Sequence, residues 1–202
     1  MHELEPEYAA AGGDADLKRW RKAERARQIA ARLAIPADER RGHSERIGEA
    51  LDHLLGTPDG LTVSLYWPFR GEPDLRDWAA GIAARGGRCA LPVVIEPAAP
   101  LIFRRWTPGD PLDRGVWNIP IPTADAEQVM PDVVIAPLVG FDPRGFRLGY
   151  GGGFFDRTLA AMPRKPRVIG VGYTAQRIPT IYPQPYDIAM DVILTEDGVF
   201  GA

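Results

Sequence analysis

Four of five consecutive positions in the last third of the chain are glycine: Gly149, Gly151, Gly152 and Gly153, with Tyr150 set among them. They follow an apolar run over residues 133–139 and a polar loop that carries Arg147, and they lead into Phe154, Phe155 and Asp156. Only glycine takes positive φ freely and lets another group approach the main chain closely. Where such a loop opens a helix, it offers unpaired N–H groups and the positive end of the helix dipole to an anion. Arg147 can add a charge-assisted contact to phosphate. Asp156, in the first helical turn, is a poor neighbour for phosphate unless a cation lies between them. Magnesium bridging nucleotide phosphates resolves that conflict, because the ion uses one or two carboxylates together with phosphate oxygens.

The run is neither a Walker A loop, since no Gly-Lys-Ser/Thr follows, nor a dinucleotide fingerprint, since the third glycine is absent at the required offset. On residue type alone, two readings stand side by side: an anion cradle, or a tight turn packed against a neighbouring helix. No serine or cysteine is placed as a nucleophile here.

The surrounding elements follow from pattern. Residues 17–33 are rich in Ala, Arg, Lys and Glu and predict a basic helix. A break at Ile35-Pro36 precedes a second helix over about 37–55, where Ile47, Leu51, Leu54 and Leu55 fall on one face. Strands are expected at 61–67, 88–94, 101–106, 133–139, 168–173 and 191–195, with helices at 73–85 and 153–162. Strands alternating with helices give an α/β class, a Rossmann-like layered sheet, mostly parallel, with helices on both faces. The two N-terminal helices pack beside it. Residues 1–15 read as a loose tail, and 16–202 as one domain.

Composition narrows the rest. The chain has 202 residues and a formal net charge of −3, so no overall basic footprint for nucleic acid exists. No apolar stretch approaches the roughly 20 residues that cross a bilayer. One cysteine, Cys89, excludes an internal disulfide or a multi-cysteine zinc site, and it reads as a small core residue. A cytoplasmic protein, monomeric or homodimeric, is expected. Gly and Pro together supply 42 residues, spread between apolar segments, which describes many short elements joined by shaped loops.

The stretch from Gly140-Phe141-Asp142 through Gly145, Arg147-Leu148-Gly149-Tyr150-Gly151-Gly152-Gly153 to Phe154-Phe155-Asp156-Arg157 resembles the signature of the 5-formyltetrahydrofolate cyclo-ligase family, also called 5,10-methenyltetrahydrofolate synthetases. The likeness runs over about residues 20–197. It takes in Arg21 and Arg25, the turn from Ile35 to Arg40, and Phe69-Arg70-Gly71-Glu72-Pro73-Asp74. It continues through Trp117-Asn118-Ile119-Pro120-x-Pro122 and ends on Asp187, Asp191 and Thr195-Glu196.

The resemblance implies an enzyme that converts 5-formyltetrahydrofolate and ATP to 5,10-methenyltetrahydrofolate, ADP and phosphate. It assigns ATP to Arg21, Arg25, Arg147, Leu148, Gly149, Tyr150, Gly151, Gly152, Gly153, Phe154 and Phe155. It assigns Mg²⁺ to Asp156 and Asp191, and the folate to Trp67, Phe69, Glu72, Trp117 and Phe155. Glu72 and Arg147 are the expected catalytic residues. Phe154 and Phe155 stand where the family carries tandem tyrosines, so two hydroxyls are missing. Lys18 and Lys22 have the same spacing as Arg21 and Arg25 and give an alternative register for the ATP arm.

Plainer roles remain open residue by residue. The basic helix can be a solvated face. Trp117 can be core, and Glu72 a helix-start charge. Asp187 can cap a turn, while Asp191 opens an apolar strand where an unpaired carboxylate is costly. Two other functions stay in view: a folate- or nucleotide-binding paralogue with little or no turnover, and an ATP-using kinase or ligase with a different acceptor.

Overall fold

The computed structural model describes residues 13–200. Helix α1 (Gly13–Ala34) and helix α2 (Ala37–Leu55) come first, then β1 (Thr62–Ser64), α3 (Arg76–Ala84), β2 (Arg88–Val93) and β3 (Ile102–Arg105). After β4 (Leu112–Arg114) come β5 (Pro120–Pro122), β6 (Gln128–Val129), β7 (Val133–Pro137), β8 (Gly140–Phe141) and β9 (Arg147–Leu148). Helix α4 (Phe154–Ala161), β10 (Arg167–Val171), β11 (Val192–Thr195) and β12 (Gly198–Phe200) complete the chain. Helix α1 starts earlier than its composition predicts, with Asp14 and Asp16 in its first turn matching the dipole. Residues 13–15, expected in the tail, are therefore helical; the remainder of that expected tail lies outside the described residues.

Eight strands form one sheet in the order β12-β11-β10-β7-β1-β2-β3-β6. The inner five are parallel, and β12, β3 and β6 join antiparallel at the edges. The chain leaves β1 towards β2 on one side and returns to β7 on the other. In doubly wound sheets the crevice at such a reversal, beyond the carboxyl ends of the strands, is where ligands bind.

Both faces of the sheet are covered, which explains the unbroken apolar runs of its central strands. Val133, Ile135, Ile169 and Val171 pack with Ile47 and Leu51 of α2 and with Ala79 and Ile82 of α3. Val134, Ala136 and Val168 face the other way, towards clusters that include Phe155 and Leu159 of α4. Cys89 of β2 is buried in the first of these layers, as expected of a core residue. No described helix is long and apolar enough to cross a membrane.

Six strands lie outside the expected ones: β6, β12 and the β4–β5 and β8–β9 hairpins, each strand holding only two or three residues. That is too short for a period of two to register. Prolines 120 and 122 in β5 also argue against a strand, and are tolerated because it pairs on one side only.

Candidate active site

A cleft of about 1010 Å³ opens beyond the carboxyl ends of β1, β2 and β7. One end is the glycine loop and the start of α4. The other is the segment after β1, with Trp67, Phe69 and Glu72, overhung by Trp117.

The loop is shaped by two glycines above all. Gly151 (φ 96°) and Gly153 (φ 65°) hold left-handed conformations, and Gly153 is the residue that precedes α4. A Cβ on Gly151 would stand 3.3 Å from the Arg25 guanidinium carbon, so the arginine lies directly against the main chain there. Arg25 Nε donates to the Gly149 carbonyl at 2.6 Å. No side chain caps α4, so its first-turn N–H groups keep their capacity for an incoming anion.

Below the loop, the Arg147 side chain is buried. Its guanidinium lies 4.8 Å from the centre of the Phe155 ring and 3.6 Å from Asp156 Oδ2. Its Nε finds no partner among the described residues, and burial pulls its pKa down from the ordinary arginine value. An under-paired buried cation beside a glycine loop favours an anion above it.

At the opposite end, Glu72 is almost wholly buried. Its Oε2 accepts the Phe69 N–H at 2.9 Å, and its Oε1 accepts the Tyr150 hydroxyl at 2.8 Å. Burial raises its pKa to about 7, against the opposing pull of Arg32 and of the Tyr150 hydrogen bond. Arg32 is fully buried and donates to the carbonyls of Arg70 (2.8 Å) and Leu138 (3.0 Å) and to Tyr150 Oη (2.6 Å). Above them Phe69 and Trp117 stack with their rings 9° from parallel and centroids 6.0 Å apart. Trp117 keeps 56% of its surface exposed and sits at φ 55°, a strained geometry for a tryptophan.

A model of the 5-formyltetrahydrofolate cyclo-ligase family matches residues 17–196. The chain belongs to that family. It is 34% identical over 146 residues to a 5-formyltetrahydrofolate cyclo-ligase of Escherichia coli strain K12, covering 69% of this chain and 80% of that one. A cyclo-ligase of Mycolicibacterium smegmatis is 32% identical over 171 residues, 81% of this chain and 87% of its own. The solved 5,10-methenyltetrahydrofolate synthetase of Aquifex aeolicus superposes with a TM-score of 0.76 at 29% identity, covering 89% of this chain and 91% of that one.

With the cyclo-ligase fold in place, most residues singled out from sequence line one cleft: Arg21, Arg25, Trp67, Phe69, Glu72, Trp117 and residues 147–156 among them. Two placements differ from expectation. Asp191 does not line the cleft; its Oδ2 accepts the Val168 N–H at 2.7 Å, tying the start of β11 to β10, and Lys165 approaches its other oxygen. Asp156, by contrast, lines the cleft, and its Oδ1 accepts the Ile188 N–H at 2.9 Å. Arg21 lines the cleft but its donors are spent on the Ile181 and Tyr182 carbonyls and on both oxygens of Asp187. Of the two registers, Arg21 and Arg25 turn inward while Lys18 and Lys22 stay exposed at the rim. Leu148 contributes main chain only, its side chain being core beside Ile178 and Ile181. Phe155 has one ring face towards Arg147 and packs into the core with Val134 and Phe103.

Among the described residues, no three His, Cys, Asp or Glu side chains gather into a cage. Magnesium needs no cage beside a nucleotide, where one carboxylate and phosphate oxygens suffice. Within the cleft Asp156 would be the carboxylate to offer, since Asp187, which also lines it, is held by Arg21.

Arg32 has no assigned role in the sequence reading, and Tyr150, assigned there to ATP, turns its hydroxyl to Arg32 and Glu72 instead. A signal was present: Arg21, Arg25, Gln28 and Arg32 recur at steps of four, three and four, a polar stripe turned towards the body of the protein.

Proposed function

We propose that the chain converts 5-formyltetrahydrofolate and ATP to 5,10-methenyltetrahydrofolate, ADP and phosphate. One observation carries this reading: a single cleft joins a glycine loop flanked by Arg25 and Arg147 to an aromatic pocket floored by a buried carboxylate, Glu72. The loop and the pocket are the two halves that a phosphoryl transfer onto a folate oxygen requires.

Catalysis of this kind is mainly positioning and charge stabilisation. The triphosphate rests on the main chain of Gly149 to Gly153 and the N-terminus of α4, with Arg25 and Arg147 compensating its charge. The flat pterin is held between the Phe69–Trp117 pair and the segment after β1, with Glu72 accepting ring N–H groups. Its formyl oxygen takes the γ-phosphoryl group, ADP leaves, and N10 then closes on the activated carbon, giving up its proton, as phosphate departs. Because Glu72 titrates at about 7, it can take up or release a proton at a carboxylate oxygen without a large penalty near neutrality. Asp156 would hold Mg²⁺ together with phosphate oxygens, and the ion would supply neutralisation of phosphate charge.

The test is spectral. Purified protein mixed with 5-formyltetrahydrofolate, ATP and Mg²⁺ develops the methenyl chromophore and releases ADP in equal amount. Binding of both ligands with no colour would refute turnover and point to a binding paralogue.

A further inference from the structure

Tyr150 is the one residue of the run from Gly149 to Gly153 that carries a side chain, and the chain spends that side chain away from the loop. The ring enters the aromatic pocket, with centroids 5.8 Å from Phe69 and 6.1 Å from Trp117. Its hydroxyl accepts from Arg32 Nη2 at 2.6 Å and donates to Glu72 Oε1 at 2.8 Å, so both of its hydrogen-bonding directions are used. One residue earlier, the Gly149 carbonyl is held by Arg25. The peptide that would cradle a triphosphate is therefore joined, within one residue, to the carboxylate of the pterin pocket.

We propose that Tyr150 is a positioning residue through which the glycine loop and the Glu72 carboxylate respond as one unit, so that a triphosphate on the loop changes the hydrogen bonding of Glu72. The proposal rests on the reading that the loop takes ATP and the pocket takes folate. It goes beyond that reading by naming how one site is felt at the other.

The surroundings of Glu72 make it a sensitive reporter. Arg32 faces it from α1, Tyr150 from the glycine loop, and Tyr66 from the end of β1, with Tyr173 beyond Tyr66 and Asp74 on Glu72's own segment. Tyr66 directs its hydroxyl to the Pro73 carbonyl and leaves Glu72 to the other partners. Burial pushes the Tyr150 phenol up, so it remains a donor across the range in which Glu72 titrates. Arg32 is anchored on the Arg70 and Leu138 carbonyls and forms the fixed end of the chain. Tyr150 is the end that belongs to the loop, and so the end a ligand on the loop meets. By linkage, a ligand that moves Tyr150 must change the proton affinity of Glu72, and protonation of Glu72 must change the affinity for that ligand.

The experiment follows the Glu72 carboxyl directly by ¹³C NMR in protein labelled on glutamate, with the signal identified by its loss in Glu72→Gln. The wild type titrates at about 7. Tyr150→Phe keeps the ring and removes the donor, which raises the midpoint by roughly half to one pH unit. A non-hydrolysable ATP analogue with Mg²⁺ moves the wild-type midpoint and leaves that of Tyr150→Phe in place. An unchanged midpoint in Tyr150→Phe, or an equal displacement by the analogue in both proteins, overturns the proposal. The functional reading fails separately, by the absence of methenyl product from the wild type, and that outcome does not touch the titration.

Discussion

The Arg21 guanidinium grips both carboxylate oxygens of Asp187, at 2.6 and 3.3 Å, with each side chain about nine-tenths buried. A planar fork suits this geometry in a way a lysine ammonium does not. The pair pins the segment around residues 181–187 to α1, and the next residue, Ile188, donates its N–H to Asp156. Removing one partner of a buried pair leaves the other charge uncompensated, at a cost of about 3–5 kcal/mol. Arg21→Ala therefore lowers the thermal midpoint strongly, and Asp187→Asn does so in the same direction. A scanning calorimetry trace indistinguishable from wild type would refute the clamp.

Arg25 behaves differently, because only its Nε is engaged, on Gly149, leaving its terminal nitrogens without hydrogen-bond partners among the described residues. Loss of charge-assisted bonds worth about 1.5–3 kcal/mol raises the ATP KM in Arg25→Ala roughly 10- to 100-fold. The KM for 5-formyltetrahydrofolate and the melting temperature change little. Steady-state kinetics with each substrate varied in turn separates Arg25 from Arg21.

Asp156 and Asp191 are distinguished by the same logic. Asp156→Asn keeps an acceptor for the Ile188 N–H and removes the charge, so turnover falls and the Mg²⁺ concentration for half-maximal rate rises at least tenfold, about 1.4 kcal/mol. Asp191→Asn leaves the Mg²⁺ dependence as it was and acts on stability alone, through the Val168 N–H. Metal titrations of initial rate check both. An equal response from the two variants would return Asp191 to the site.

Glu72 gives a stability effect with an unusual sign. Its carboxyl is raised from 4.5 to about 7, so its neutral form is favoured by the fold. A group raised in this way contributes stability that is complete below the unfolded pKa and is lost as pH rises through the folded one. Relative to Glu72→Gln, which stays neutral, the wild type loses on the order of 3 kcal/mol between pH 4.5 and 8. Urea melts of both proteins at pH 5 and pH 8 measure it. A difference between the two proteins that does not vary with pH would mean that Glu72 is not buried as described.

Much of this is legible in the amino-acid sequence. Val133 to Ala136 read as a central strand because residues on both of its faces are apolar, and α2 read to its observed ends because Ile47 and Leu51 keep helical spacing up to Gly56. The glycine loop was legible from composition. Other features depend on the assembled fold. Asp191 opens a strand with its carboxylate turned to a neighbouring strand's N–H, and nothing local distinguishes that from a cleft ligand. Arg32 is one of many arginines in a basic helix, and becomes exceptional only when the carbonyls of two loops and the Tyr150 hydroxyl converge on it. Tyr150 sits among glycines and reads as part of the ATP loop, and only the assembled fold shows its hydroxyl meeting Glu72.

The single thiol of the chain offers a clock. Cys89 lies in β2 beneath α3, and burial pushes its pKa up to about 12. Alkylating reagents meet it only when the central strands separate, so the rate of covalent trapping counts global opening events, undisturbed by any second cysteine. Each nucleotide or folate that occupies the native cleft must slow that count by mass action, which turns one inert side chain into a gauge of ligand affinity that requires no turnover.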